Sequence, residues 1–261
     1  MDNIKFAFFG STTFSKELLL YLLEKKFIPS AIFFIPKKFN ISYSTNKIVN
    51  SNYANIKKIA MKNKIPYFEV NSAPKQKISD YSKIIKDLKL DLILVLGWYY
   101  MIPKKIRELA KYGAWGIHAS LLPKYAGGAP LNWAIINGEK RTGVTLFRMA
   151  GGVDDGDIIA QKSFPILMED SIKDVYKKAT DESKELLFDT LSNFDKVKFT
   201  KQKKSEIEVY PQRKPEDGEI DLNKTSEDIY NFIRAQSSPY PGAYIKTIDG
   251  KKIIIEKARI A

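Results

Sequence analysis

The chain of 261 residues contains no cysteine, which excludes thiolate nucleophiles, disulfide frameworks and cysteine zinc sites. It contains one histidine, which excludes a histidine-rich metal site. No stretch approaches the ~18 continuous apolar residues of a membrane span. The first residues run straight into Ile4-Lys5-Phe6-Ala7-Phe8-Phe9, with no basic leader ahead of a long apolar core. The cytoplasm is therefore the expected compartment, and no membrane association is expected. Gly10-Ser11-Thr12 lacks the second and third glycines of a dinucleotide fingerprint, which argues against a nicotinamide enzyme. Asp154-Asp155-Gly156-Asp157 lacks the later glutamate of a calcium loop, so no metal is expected.

Lys and Arg number 43 against 30 acidic residues, a net charge of +13. Such a surplus suits a polyanionic partner such as tRNA, a nucleotide diphosphate or a polyglutamyl tail. Abundant Lys, Ile and Asn also fit simple translation of an AT-rich genome.

Apolar runs at 4–9, 31–35, 65–69, 91–97 and 114–118 alternate with helical patterns. One helix carries Leu18, Leu19, Leu22 and Leu23 on a face, and others are expected at 53–63, 79–88, 103–111 and 131–137. This alternation predicts an α/β fold: a Rossmann-like, mostly parallel sheet with helices on both faces. Strands at 144–147 and 158–161 flank the acidic loop. Asp170 is expected to cap a long helix with the stripe Ile172, Val175, Tyr176, Ala179, Leu186 and Leu187. The polar stretch 37–52 reads as a long loop. Three parts are expected: a catalytic domain at 1–195, a charged linker at 196–206 and a small α+β subdomain at 207–261. The last holds a helix capped by Thr225 and strands at 243–247 and 252–257.

His118 lies in Gly116-Ile117-His118-Ala119-Ser120-Leu121-Leu122-Pro123-Lys124-Tyr125, where the fifth strand ends. Imidazole is the side chain best poised to move protons near neutral pH. A carboxylate on the later Gly-rich loop could fix its tautomer. A hydrogen-bonded core histidine beside a solvated acidic turn fits the same spacing. Trp98-Tyr99-Tyr100-Met101 follows a buried strand at its carboxyl end, the edge where ligands bind in open parallel sheets, and could pack a flat heterocycle or the core.

These segments resemble the folate-dependent formyltransferase family. The similarity runs through Phe8-Phe9-Gly10-Ser11, His118-Ala119-Ser120-Leu121-Leu122-Pro123, Ala129-Pro130-Leu131-Asn132-Trp133-Ala134-Ile135 and Thr142-Gly143-Val144-Thr145-Leu146. It continues in Asp154-Asp155-Gly156-Asp157-Ile158, in Pro215-Glu216-Asp217-Gly218-Glu219-Ile220-Asp221, in Ile233-Arg234-Ala235 and in Pro239-Tyr240-Pro241-Gly242-Ala243.

The resemblance implies transfer of formyl from 10-formyltetrahydrofolate to a primary amine. It implies His118 as proton shuttle and Asp154 as its partner. It implies a folate site at Gly97, Trp98, Tyr99, Tyr100, Met101 and Ile102, with Met149, Gly152, Val153 and Asp155. Substrate contacts are expected from Phe9, Gly10, Ser11, Thr12, Ser120, Lys124 and Tyr125. The family's oxyanion asparagine is Gly116 here, and Asn132, Ser120 or protonated His118 would have to substitute, Asn132 first. Ala126 stands where many relatives carry arginine. The subdomain at 207–261 resembles a truncated formyltransferase C-terminal barrel, which favours a nucleotide-linked amino sugar as acceptor and admits a homodimer. Loop 37–52, with three lysines and no arginine, matches a duplex poorly, so a nucleic-acid partner is not expected. Methionyl-tRNA formylation is the alternative, and a non-catalytic binding protein on the same fold is a further one.

Overall fold

A computed structural model describes residues 4–41 and 46–261. Residues 42–45 of the expected loop 37–52 lie outside the described residues. In chain order the first elements are β1 (Phe6–Phe9), α1 (Thr13–Glu24), β2 (Ala31–Phe34), β3 (Lys38–Phe39), β4 (Ile48–Val49) and α2 (Ile56–Lys62). Next come β5 (Tyr67–Glu69), α3 (Ser82–Asp87), β6 (Leu92–Val95), α4 (Lys104–Arg107), β7 (Ala114–His118), β8 (Ala126–Gly127) and α5 (Pro130–Ile136). The remainder are β9 (Arg141–Arg148), β10 (Ile158–Pro165), α6 (Ile172–Ser192), β11 (Val209–Tyr210), α7 (Ser226–Gln236), β12 (Ala243–Lys246) and β13 (Lys252–Ile255).

The chain packs as two compact units that cut across its order. The first comprises Met1–Ile117, Leu146–Gly151 and Lys184–Phe199. Its strands run in the order β9-β7-β6-β1-β2-β5. The pairs β1–β2, β1–β6, β2–β5 and β6–β7 are parallel. Every residue of β1, β2 and β6 is buried, as continuous apolar strands must be when both sheet faces are covered. Trp115 on β7 is fully buried, stacks on Phe194 at 5.5 Å and donates its indole N–H to Tyr112 O. The second unit comprises His118–Thr145, Gly152–Ser183 and Thr200–Ala261. It holds β10 beside the first half of β9, the parallel pair β8–β11, and the antiparallel hairpin β12–β13. Among the described residues, no helix is long and apolar enough to cross a membrane.

Several expected elements change shape for identifiable reasons. The helix expected at 103–111 ends at Arg107, because the amides of Lys111 and Tyr112 are taken by Leu90 O and Asp91 O ahead of β6. The helix expected from residue 53 starts at Ile56, where Asn55 accepts the Lys58 N–H. Stretch 37–52 is not structureless: β3 and β4 pair through Lys38↔Val49 and Phe39↔Ile48. Asp170 does not cap α6. Its carboxylate accepts the Leu167 N–H and pairs with Lys178 at 2.6 Å, while Ser171 precedes the helix and bonds Asp174. Thr225 does cap α7, accepting the Asp228 N–H.

The turn after β1 shows how the first unit is tied. Ser15, fully buried, accepts the amides of Ser11 and Thr12 at 3.0 Å and donates to Leu96 O at 2.5 Å. Its hydroxyl thereby joins the ends of two strands to the start of α1. Ser15→Ala removes the shared oxygen and leaves buried groups unpaired. The expected loss is about 1–3 kcal/mol of unfolding free energy, measured by urea titration; a loss within error of zero would show that the turn is held by other contacts.

Candidate active site

β7 carries His118 at its carboxyl end, 8% exposed. Nε2 lies 2.7 Å from Tyr125 O. A carbonyl only accepts, so this nitrogen carries the hydrogen. Nδ1 faces Asp154 Oδ2 at 3.3 Å. The same carboxylate oxygen accepts the Gly127 N–H at 2.9 Å. A hydrogen shared between Nδ1 and Oδ2 would join the two side chains.

Asp154 sits at φ +47°, a backbone conformation that side chains other than glycine seldom adopt. The loop is held there by Gln202, whose amide donates to Asp154 O and Gly156 O, both at 2.7 Å. Within the same loop, Asp155 accepts the Gly152 N–H at 3.0 Å. Gln202 lies in the lysine-rich stretch read as a linker. The one signal of its role is an uncharged polar residue inside a charged run.

A strip from the C-terminal part of the chain braces the segment after His118. β11 pairs with β8 through Val209↔Ala126 and Tyr210↔Gly127, and Gly128 donates to Tyr210 O at 2.8 Å. Gly127 has φ +92°, and a Cβ there would stand 2.5 Å from Tyr210 O. Tyr125, itself at φ +56°, packs its ring 4.8 Å from that of Tyr210, which lies 5.5 Å from Trp133. The Tyr125 hydroxyl donates to Glu139 at 2.9 Å and receives an Asn137 N–H. Burial, opposed by Asn137 and reinforced by Glu139, pushes this phenol up. Tyr210 escaped the sequence reading because nothing in Val209-Tyr210 marks it as a partner for residues so far ahead in the chain.

The remaining expected residues fall into three groups. Ser11, Thr12, Gly10 and Phe9, expected to meet substrate, each make contacts within the fold. Ser11 Oγ accepts the Ile35 N–H at 2.6 Å, Thr12 caps α1, and Phe9 is fully buried 4.6 Å from Phe33. A side chain at Gly10 would collide with Ser15 and Leu96 O. Ser120 Oγ likewise donates to Lys124 O, and Lys124 itself is exposed.

Asn132 was expected as the oxyanion donor. Its Nδ2 donates at 2.7 Å to Ala235 O, tying α5 to α7, and its Oδ1 can only accept. The group that would serve an oxyanion is committed to that joint.

The aromatic segment after β6 mixes roles. Tyr99 donates to Asn50 Oδ1 and Tyr100 to Asn40 O, and burial raises both phenols. Ile102 is core, Met101 is 76% exposed and Gly97 has φ +67°. Trp98 packs 5.3 Å from Phe9, and its buried indole N–H has no partner among the described residues. A flat heterocycle with an acceptor at its edge fits that donor and those ring faces. Gly152, Val153 and Asp155 form the turn before and around Asp154, with Val153 54% exposed.

Gly116 stands two residues before His118 on β7, beside the Phe147 and Met149 side chains. A Cβ there would meet Phe147 Cε1 at 3.3 Å and Met149 Cγ at 3.7 Å. Met149, expected at the folate, packs here against the core.

A His–Asp pair thus lies at the carboxyl end of a strand of a Rossmann-like α/β fold. The sequence matches the family Formyl transferase over residues 4–191 and Formyl transferase, C-terminal domain, over 213–261. The chain belongs to the formyltransferase family. It is 39% identical over 216 residues to the bifunctional polymyxin resistance protein ArnA of Wigglesworthia glossinidia brevipalpis, covering 80% of this chain and 32% of that protein. It is 37% identical over 202 residues to the methionyl-tRNA formyltransferase of Thermodesulfovibrio yellowstonii, covering 77% of this chain and 64% of that one. It thus spans about a third and just under two thirds of these relatives. Its fold is similar to that of a 4-N formyltransferase from Francisella tularensis (TM-score 0.72, 20% identity, 99% of this chain and 100% of the other). It is also similar to an N-formyltransferase from Helicobacter canadensis solved with folinic acid and dTDP-3-aminofucose (TM-score 0.64, 24% identity, 89% and 80%).

Two predictions rest on this geometry. Tyr210→Ala removes the ring that braces Tyr125 and is expected to lower formyl-transfer turnover by about 10- to 100-fold through misplacement of the loop. Tyr210→Phe keeps the ring and is expected near wild-type; equal losses in both would assign the effect to the hydroxyl instead. Gly116→Asn presses its side chain against the Phe147 ring, 3.3 Å from a Cβ at this position, so it is expected to lower turnover. A rate increase would show that an amide donor was simply missing.

Proposed function

We propose that the chain moves formyl from 10-formyltetrahydrofolate to the primary amine of a nucleotide-linked amino sugar. The observation that carries the chemistry is the His118–Asp154 pair, with Nε2 on a backbone carbonyl and Nδ1 on the carboxylate. When bound, 10-formyltetrahydrofolate supplies the formyl carbon and a leaving nitrogen. An attacking amine must be neutral, and transfer must move a proton from it to the leaving group. In this reaction the Nε2 hydrogen of His118 passes to the folate nitrogen as that nitrogen's bond to the formyl carbon breaks, and the freed Nε2 then takes the proton of the attacking amine, while Asp154 steadies the ring at Nδ1.

Two features support the sugar as acceptor. The Francisella 4-N formyltransferase overlaps almost the whole chain, and the Helicobacter enzyme was solved with an amino sugar on a nucleotide. The segment 37–52 offers three lysines, too few for a groove that tracks several phosphates. A second reading, formylation of methionyl-tRNA, is favoured by the likeness to the Thermodesulfovibrio enzyme. Cytoplasmic location and a homodimer accompany the sugar reading as part of the proposal.

The test supplies 10-formyltetrahydrofolate with labelled formyl to the full chain, with nucleotide-linked amino sugars in one arm and methionyl-tRNA in the other. Label on the sugar amine is expected, and label on the tRNA alone would replace the sugar by the alternative acceptor. His118→Asn is expected to lower turnover at least ~100-fold while folate still binds. Near wild-type turnover in that variant would remove His118 from the reaction.

A further inference from the structure

Gln202 stands in the lysine-rich stretch that follows α6, between exposed Lys201 and exposed Lys203, yet it is half-buried. Its place is set two residues earlier. Thr200 and Ile158, where β10 begins, form an antiparallel bridge, each amide donating to the other's carbonyl at 2.8 Å. Carried on by two residues, that register sets Gln202 opposite Gly156, at the foot of the acidic loop. There the ladder gives way to a side chain. The Gln202 amide nitrogen donates to Gly156 O and to Asp154 O, both at 2.7 Å. Both of its hydrogens are used, one on each carbonyl. All of these residues, with His118 and Gly127, belong to the second compact unit.

The opposite flip of the amide would turn its oxygen on two carbonyls, so the bonding fixes which end faces the loop. The Gln202 oxygen is left buried and without a partner among the described residues. Leaving an acceptor buried and unpaired costs on the order of what two neutral hydrogen bonds gain. Gln202 therefore adds little to stability, and what it gives is the position of a main chain. That main chain belongs to Asp154, held at φ +47°. The Asp154 carboxylate reaches His118 Nδ1 at 3.3 Å, at the long end of hydrogen-bond distances, and the same oxygen takes the Gly127 N–H at 2.9 Å. A retreat of the loop by a fraction of an ångström would break the contact with the ring.

We propose that Gln202 is a positioning residue for formyl transfer. It acts on the reaction through Asp154 alone, by holding that residue's main chain where the carboxylate meets Nδ1 of His118. The inference rests on the reading of His118 as the proton carrier and names what keeps its partner in place.

His118 is the only histidine of the chain, so in an isotope-labelled protein its imidazole nitrogens give one unmixed set of magnetic resonances. Gln202→Met matches the side chain in length and removes both donors. It is expected to shift those resonances in the same sense as Asp154→Ala, while the thermal transition moves by less than about 4 °C. Formyl transfer is followed with whichever acceptor takes the label, sugar or tRNA. Gln202→Met is expected to lower kcat by about 10- to 100-fold and to change KM for 10-formyltetrahydrofolate by less than about threefold. Added to Asp154→Ala, the same change is expected to cost no more than about twofold, because its route to the ring is already gone. Unmoved imidazole resonances, or wild-type turnover, would overturn the assignment. So would losses that multiply in the double variant, since Gln202 would then act by another path. Should Gln202→Met fail to fold, Gln202→Asn keeps the amide but holds it one methylene short of both carbonyls, and the same signature is expected from it. Failure of both to fold would make Gln202 a structural residue only. A chain that transfers no formyl to either acceptor would end the proposed activity, and the resonances would still decide whether Gln202 sets the pair of His118 and Asp154.

Discussion

One carboxylate oxygen organises the candidate site. Asp154 Oδ2 accepts the Gly127 N–H and faces His118 Nδ1, so it fixes a loop and an imidazole together. Holding it there forces Asp154 to φ +47°. A strained backbone position of that kind costs on the order of 1–3 kcal/mol. The two Gln202 hydrogen bonds to Asp154 O and Gly156 O contribute about 1 kcal/mol each, of the same order as the strain. The balance explains why the acidic loop needs a buried amide behind it as well as a histidine in front.

The second constraint is closeness of backbones. Gly127 and Gly128 lie against the strand Val209–Tyr210, and at Gly127 a β-carbon would strike a carbonyl. Glycine is required there by both the positive φ and the approach. Tyr210 then stacks on Tyr125, whose carbonyl holds His118. A residue more than eighty positions after the histidine thus acts on its ring nitrogen through one aromatic contact and one peptide group. Such an aromatic pair contributes about 0.5–1.5 kcal/mol beyond its burial, which is ample to keep a loop in one arrangement.

The sheet was legible because parallel strands buried on both faces write themselves as apolar runs, as Leu92-Ile93-Leu94-Val95 does. The ends of its helices were not: α4 stops where distant carbonyls capture its amides, and α6 is entered through Ser171 because Asp170 is drawn to Lys178. The pairing of His118 with Asp154 was implied by the family resemblance, spacing alone fitting a core histidine equally well, and the structure brings the two within 3.3 Å. Roles for Ser11, Thr12 and Asn132 did not follow. A hydroxyl or amide beside a motif looks the same in sequence whether it faces a ligand, caps a helix or ties two helices together. Tyr210 and Gln202 were invisible for the converse reason: their function lies in long-range contacts that no local pattern encodes.

The resting arrangement also limits how the histidine can act. Nε2 is occupied by Tyr125 O, and Tyr125 is pinned at three points: its left-handed backbone, its ring against Tyr210 and its hydroxyl between Glu139 and Asn137. Moving that carbonyl aside would break all three. Rotating the imidazole breaks one hydrogen bond and keeps Asp154 as a pivot at Nδ1. In the proposed reaction the lower-cost route to freeing Nε2 is therefore motion of the His118 side chain within a fixed loop. Such a route keeps the developing imidazolium beside its carboxylate throughout, where the charge is most stabilised.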